Sequence, residues 1–150
     1  MAWEEMVLRL GVALLLGSAI GLERQWRSHY VGLRTNALIT IGSAAMMIFG
    51  QMLPREDHAS LEHIASQIIT GVGFLCAGVI MREGANVKGF NTAATLWCSV
   101  AVGIFTGSGL FVPAAVLSAF ITLVNLLMLP LVYFVNRTSI PERSGETDQK

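Results

Sequence analysis

Five apolar runs, separated by short polar or glycine-rich connections, constrain this 150-residue chain more than any other feature. They are Met6–Leu22, Asn36–Leu53, Ile64–Met81, Thr92–Phe105 and Leu110–Val135. A hydrocarbon core about 30 Å thick takes roughly 17–25 helical residues. The runs therefore predict an all-α, polytopic membrane bundle of five transmembrane helices. The fourth reaches spanning length only by continuing through Gly107-Ser108-Gly109, and the fifth is long enough to tilt. Composition points the same way: 13% of residues are charged, against about 25% in an ordinary soluble domain. Residues 1–136 form one membrane domain, and 137–150 read as a short, polar, disordered cytoplasmic tail.

Orientation follows from the basic residues. With alternating spans, Arg24, Arg27, Arg34, Arg82, Lys88, Arg137, Arg143 and Lys150 share one side, which becomes the cytoplasm. The N-terminus is then outside. The opposite connection, Pro54–His63, carries Arg55 against Glu56, Asp57 and Glu62, and reads as a solvated loop. The acidic start, Met1-Ala2-Trp3-Glu4-Glu5, does not resemble a cleaved signal, so the first run is expected to be retained. Trp3 and Trp26 stand 23 residues apart, roughly 35 Å at about 1.5 Å per residue, and suit interfacial anchors. Arg9 is expected to snorkel to the headgroups. A net charge of zero argues against nucleic-acid binding.

Small residues mark where helix backbones meet in lipid. Gly17 and Gly21 form one such pair, Gly73 and Ala77 another, and Ser99, Gly103 and Gly107 a longer stripe, with Gly71 and Gly78 beside them. Polar groups at membrane depth are few. Gln67, Thr70, Thr95, Cys98, Ser99, Thr122 and Asn125 are the main ones. Serine and threonine there usually bond their own backbone, whereas the Gln67 amide is expected to bond across helices. No carboxylate lies in the middle of any run, although cation and proton pathways usually contain one. Neither Cys76 nor Cys98 has metal-ligand spacing. No catalytic residue, metal site or cofactor is indicated, and an enzyme is not expected.

Candidate functional residues gather on the basic side. Glu23 and Arg27 are four apart on an extension of the first helix. Arg34 and Thr35 open the second helix, and Arg82, Asn91 and Thr92 lead into the fourth, with Thr35 and Asn91 or Thr92 as N-caps. With Arg24 they would present helix N-termini and guanidinium groups to anions. Lipid headgroups are the plain target, and a phosphate-bearing ligand or an acidic partner the sharper one. Asn91 and Cys98 are seven apart, on one face expected to pack against the third helix near Cys76 or Gln67. At an offset of 57 residues Gly21 meets Gly78, Gly32 meets Gly89, Thr35 meets Thr92 and Ala37 meets Ala94. This weak signal predicts a parallel repeat of two hairpins, with inner loops side by side and the fifth helix outside.

Three stretches resemble signatures of the MgtC/SapB family of bacterial inner-membrane proteins. They are Ile20–Arg27 with Gly32-Leu33-Arg34-Thr35, Gln67–Leu75 continuing to Ala77-Gly78-Val79-Ile80, and Arg82-Glu83-Gly84 followed by Asn91–Cys98. The resemblance covers roughly residues 3–135 and is nearest the MgtC branch. It implies a role in growth at low Mg²⁺ and, in pathogens, in survival inside phagocytes. It also implies a homodimer, and action on another membrane protein such as the F-type ATP synthase. Departures are His63 where arginine is usual, Cys76 where glycine is common and Phe90 where leucine is. Fuller-length relatives carry a cytoplasmic C-terminal domain that is expected to be missing after residue 137. Two functional readings follow: a regulatory module that binds another membrane protein, and a small ion transporter or channel built on the polar groups from Gln67 to Thr95.

Overall fold

A computed structural model describes residues 2–26, 32–53, 59–83 and 86–138. Among these are five helices: α1 (Trp3–Trp26), α2 (Leu33–Met52), α3 (Ala59–Val79), α4 (Phe90–Gly107) and α5 (Phe111–Thr138). Each is long and apolar enough to cross a membrane. The fourth helix extends beyond its apolar run at both ends, from Phe90 to Gly107, and stops short of Ser108-Gly109. Between α3 and α4 lies a two-stranded antiparallel hairpin, β1 (Met81–Glu83) with β2 (Asn86–Lys88). The expected tail falls largely outside the described residues. Trp3 and Trp26 are 71% and 86% exposed, as interface anchors would be.

The core is a three-helix unit. Packing joins α1, α2 and α4 to one another, with α3 against α4 and α2, and α5 against α4 and α1. Both α2 and α4 begin beside the end of α1. A Cβ on Gly21 would lie 2.5 Å from Leu33 Cα at the start of α2, and Arg24 reaches Thr92 in the first turn of α4. At the far end of the bundle, Arg9 reaches both Gln51 near the end of α2 and Gly107 at the end of α4. Thus α2 and α4 run parallel and α1 antiparallel to both. Among α1 to α4, exchanging α1 with α3 and α2 with α4 leaves the pattern of neighbours unchanged, while α5 packs on α4 and α1 only. Gly32 and Gly89 also precede α2 and α4 at equivalent places. Helices α1 and α2 pack as one hairpin and α3 and α4 as another, with α5 against α4 and α1.

Both helix starts correct the expected caps. Gly32 and Gly89, rather than Thr35 and Asn91 or Thr92, are the N-cap residues, and neither helix has a side-chain cap hydrogen bond. At Gly89 the reason is steric. Its φ of 96° is left-handed, and a Cβ there would run into the Val79 carbonyl. Glycine is the residue that fits.

The glycines divide into two groups. Gly17 lies against Thr40, with 2.6 Å between a built Cβ and Thr40 Oγ1; Gly21 lies against Leu33; a Cβ on Gly107 would lie 2.6 Å from Ala44 O; Gly103 abuts Ser43 and Thr40. These allow α1, α2 and α4 to approach closely. Gly71, Gly73 and Gly78 do not belong with them, contrary to expectation: a Cβ at any of the three meets nothing within 4 Å. They lie on α3, where Cys76 alone is buried among residues 61–79. Spacing identifies a smooth helix face but not what lies opposite it. The expected repeat mates Gly21 and Gly78 should therefore differ. Gly21→Ala is expected to cost about 1–3 kcal/mol through overpacking. Gly78→Ala should be neutral or gain up to about 1 kcal/mol from helix propensity. Unfolding of the purified variants in mixed micelles measures both.

Candidate functional site

The strongest constellation is built around Arg24 in the last turn of α1. Its side chain is 2% exposed. Nη1 donates to Thr95 Oγ1 at 2.7 Å, with a longer contact to Asn91 O at 3.5 Å, and Nη2 donates to Thr92 Oγ1 at 2.7 Å. Thr92 and Thr95 are one helical turn apart, so both hydroxyls face one side of α4. An arginine at membrane depth costs about 2.5–3.5 kcal/mol on an insertion scale. Here hydroxyls and a carbonyl replace water around it.

The network continues inward. Thr95 Oγ1 donates to its own helix at Asn91 O, 2.9 Å, and lies 3.5 Å from Asn125 Oδ1 on α5. Ser99 Oγ, one turn further along α4, is 2.9 Å from Thr95 O and 3.0 Å from Asn36 Oδ1 on α2. Asn36, fully buried, donates through Nδ2 to Gly32 O at 3.0 Å. The cluster thus ties α1, α2 and α4 together, with α5 at its edge. Two buried donors, Arg24 Nε and Asn125 Nδ2, find no acceptor among the described residues. Half-buried Glu23 lines a recess of about 380 Å³ with Ala19, Leu22, Trp26 and Leu126, between α1 and α5.

A second cluster closes the opposite end. Arg9 forms an ion pair with Glu5 and donates through Nη1 to Gln51 Oε1 at 2.8 Å and to Gly107 O at 2.6 Å. Gln51 Nε2 donates to the same carbonyl at 3.0 Å. The expected snorkelling of Arg9 is thereby corrected: the side chain is 9% exposed and turns into the bundle. A cation beside the terminal carbonyls of α4 is also placed well for the helix dipole. The two arginines of α1 therefore hold α4 by both of its ends.

The remaining candidates scatter. Arg34, Thr35 and Gln67 line a groove between α2 and α3, away from Arg24. Gln67 is exposed and has no hydrogen bond among the described residues, so the expected cross-helix bond is not made. Arg27 lies outside the described residues, as does the side chain of Arg82. The shared face of Asn91 and Cys98 does not meet α3. Asn91 is exposed, and Cys98 packs on the cluster of Ile20, Val102, Ala114 and Ile121 from α1, α4 and α5. Ala93 and Leu96 meet α3 instead, with Cys76 Sγ donating to Ala93 O at 3.3 Å. Helical spacing fixes which residues share a face, but not the direction that face takes in the bundle.

Sequence reasoning missed Asn36 as part of the site, together with the role of Thr95 and Ser99. A usable signal was present: Asn36, Thr40 and Ser43 recur at helical spacing on the buried face of α2. As chemistry, the cluster holds a cation with neutral acceptors and joins helices. Among the described residues no three His, Cys, Asp or Glu side chains converge as a metal site would need. Thr95→Val should cost about 1–3 kcal/mol by leaving Arg24 short of an acceptor. Thr70→Val removes only a bond to Ser66 O on an exposed face and should stay within about 0.5 kcal/mol. Paired unfolding curves in detergent check the contrast.

Comparison with known proteins agrees with this architecture. The MgtC family model matches residues 10–134. An uncharacterized protein of Synechocystis, slr0014, is 50% identical over 136 residues, covering 91% of this chain and 57% of that protein. Protein MgtC of Brucella abortus is 50% identical over 123 residues, covering 82% and 51%. Protein MgtC of Salmonella typhimurium strain 14028s is 48% identical over 134 residues, covering 89% and 57%. The chain thus spans a little over half the length of these relatives. No solved structure matches it. With its five apolar helices and a match across nearly all of them, this multi-pass membrane chain belongs to the MgtC family.

Proposed function

We propose that the chain is a non-enzymatic regulatory module of the bacterial inner membrane that acts by binding another membrane protein. The end bearing Arg24 and Arg34 faces the cytoplasm. In the cell the module supports growth at low Mg²⁺ and, in pathogens, survival within phagocytes, as the family resemblance implies. A second copy of the chain and a subunit of the F-type ATP synthase are the partner candidates.

The observation that carries this reading is the outer face of α3. Ser66, Thr70, Gly73 and Ala77 are all exposed and recur at spacings of four, three and four residues, which places them on one helix face. In lipid, small residues let a second backbone approach. Gln67 flanks this face with an amide that has no partner among the described residues, and hydrocarbon gives such a group no hydrogen bond. Meanwhile interior polar groups form bonds between helices, from Arg24 to Thr95 and from Ser99 to Asn36. That arrangement suits a fixed scaffold with one presenting helix.

Two measurements test the reading. Protein reconstituted in liposomes should pass Mg²⁺ down a gradient no faster than empty liposomes; flux well above that background would establish a transporter. The double variant Gly73→Leu, Ala77→Leu should keep the unfolding midpoint of the wild type, because a Cβ at Gly73 meets nothing within 4 Å. It should lose the ability to restore low-Mg²⁺ growth to a strain lacking its own MgtC-like protein. Full restoration would remove the face from the function.

A further inference from the structure

We infer that the groove between α2 and α3 is a binding site for an anionic phospholipid, whose acyl chain lies along the two helices and whose headgroup meets Arg34. The groove has a volume of about 890 Å³. Leu38, Gly42, Ile68, Gly71 and Leu75 form much of its wall, with Arg34 and Thr35 at the end where α2 begins. The lining is apolar over most of its length and positively charged at one mouth, which is the polarity of an acidic lipid in reverse.

The two glycines explain why the groove is there. Gly42 and Gly71 line it from opposite walls, and a Cβ on either meets nothing within 4 Å. They bring no helices together, unlike Gly17, Gly21, Gly103 and Gly107. Their lack of a side chain keeps the groove open. Gly42 is eight residues beyond Arg34, about 12 Å at about 1.5 Å per residue. That depth lies within one half of a hydrocarbon core about 30 Å thick, so a chain whose headgroup sits on Arg34 passes between the two glycines inside a single leaflet.

Charge selects the acidic lipid. Arg34 is exposed and has neither an ion-pair nor a hydrogen-bond partner among the described residues, in contrast to Arg9 and Arg24. A basic side chain next to a membrane surface attracts anionic headgroups. The leaflet follows from the orientation proposed above; the groove and its charge do not depend on it.

The test compares phosphatidylglycerol with phosphatidylcholine of the same acyl chains, titrated into the full-length purified protein in detergent and read by native mass spectrometry. Wild type should bind phosphatidylglycerol about fivefold more tightly, the weight of one basic residue near an anionic surface. Arg34→Gln should bring the two lipids level. Gly42→Leu and Gly71→Leu should weaken both lipids while leaving the lipid-free melting temperature unchanged, since their side chains enter open space. If a leucine variant misfolds, the other leucine variant and Arg34→Gln carry the test. Equal binding of the two lipids to wild type would overturn the inference, as would undiminished phosphatidylglycerol binding by folded leucine variants. A leucine variant that changes the oligomeric mass without changing bound lipid would assign the groove to a protein helix and also overturn it.

Discussion

Hydrocarbon offers a polar side chain no solvent, so every such group placed at membrane depth must find a partner inside the protein. In this chain that requirement falls hardest on two arginines of α1. Both are met on α4, Arg24 by the hydroxyls of its first turns and Arg9 by the carbonyl of its last residue, with Gln51 of α2 as a further acceptor for Arg9. They stand 15 residues apart, about 22 Å along the helix at about 1.5 Å per residue, so α1 holds its neighbour near both membrane surfaces. With the ends fixed, the middle closes through Gly17 and Gly103, where bulk of any kind would push the helices apart. The hydrogen bond from Ser99 to Asn36 then sets α2 against α4.

The outer helices are held differently. The fifth rests on Ile20 and Val102 through Ala114 and Ile121, an apolar contact with Asn125 as its polar edge. The third attaches through Cys76, against Ala93 and Leu96, and leaves most of its surface outward. Neighbouring lipid tails are as apolar as the residues they replace, so apolar burial adds little to either attachment. A rigid three-helix centre with a lightly attached third helix separates the part that maintains the fold from the part that can engage lipid or protein.

The five spans and the family resemblance were legible in the sequence because they depend on composition and spacing alone. What spacing could not supply was direction. Gly21 and Gly78 look alike in the chain, yet one meets the α2 backbone and the other meets nothing. Arg9 read as a snorkelling side chain because its acceptors lie 42 and 98 residues away. Thr35, Asn91 and Thr92 are good capping residues by type, but both helices start upstream of them, at Gly32 and Gly89, and at Gly89 the left-handed φ of 96° suits glycine. Arg24 draws notice in the sequence for its charge at the basic end. Its burial depended on Thr92 and Thr95 lying one turn apart on a helix 68 and 71 residues further on.

The dependence of the bundle on Arg24 can be measured most directly with a double-mutant cycle. Arg24→Gln and Thr95→Val, singly and together, are unfolded from mixed micelles under reversible conditions. If the guanidinium and hydroxyl hold α1 to α4, the double variant loses less stability than the sum of the singles, with a coupling on the order of 1 kcal/mol. Losses that add, with no coupling beyond about 0.3 kcal/mol, would mean that the two groups do not act together and that some other contact holds the core.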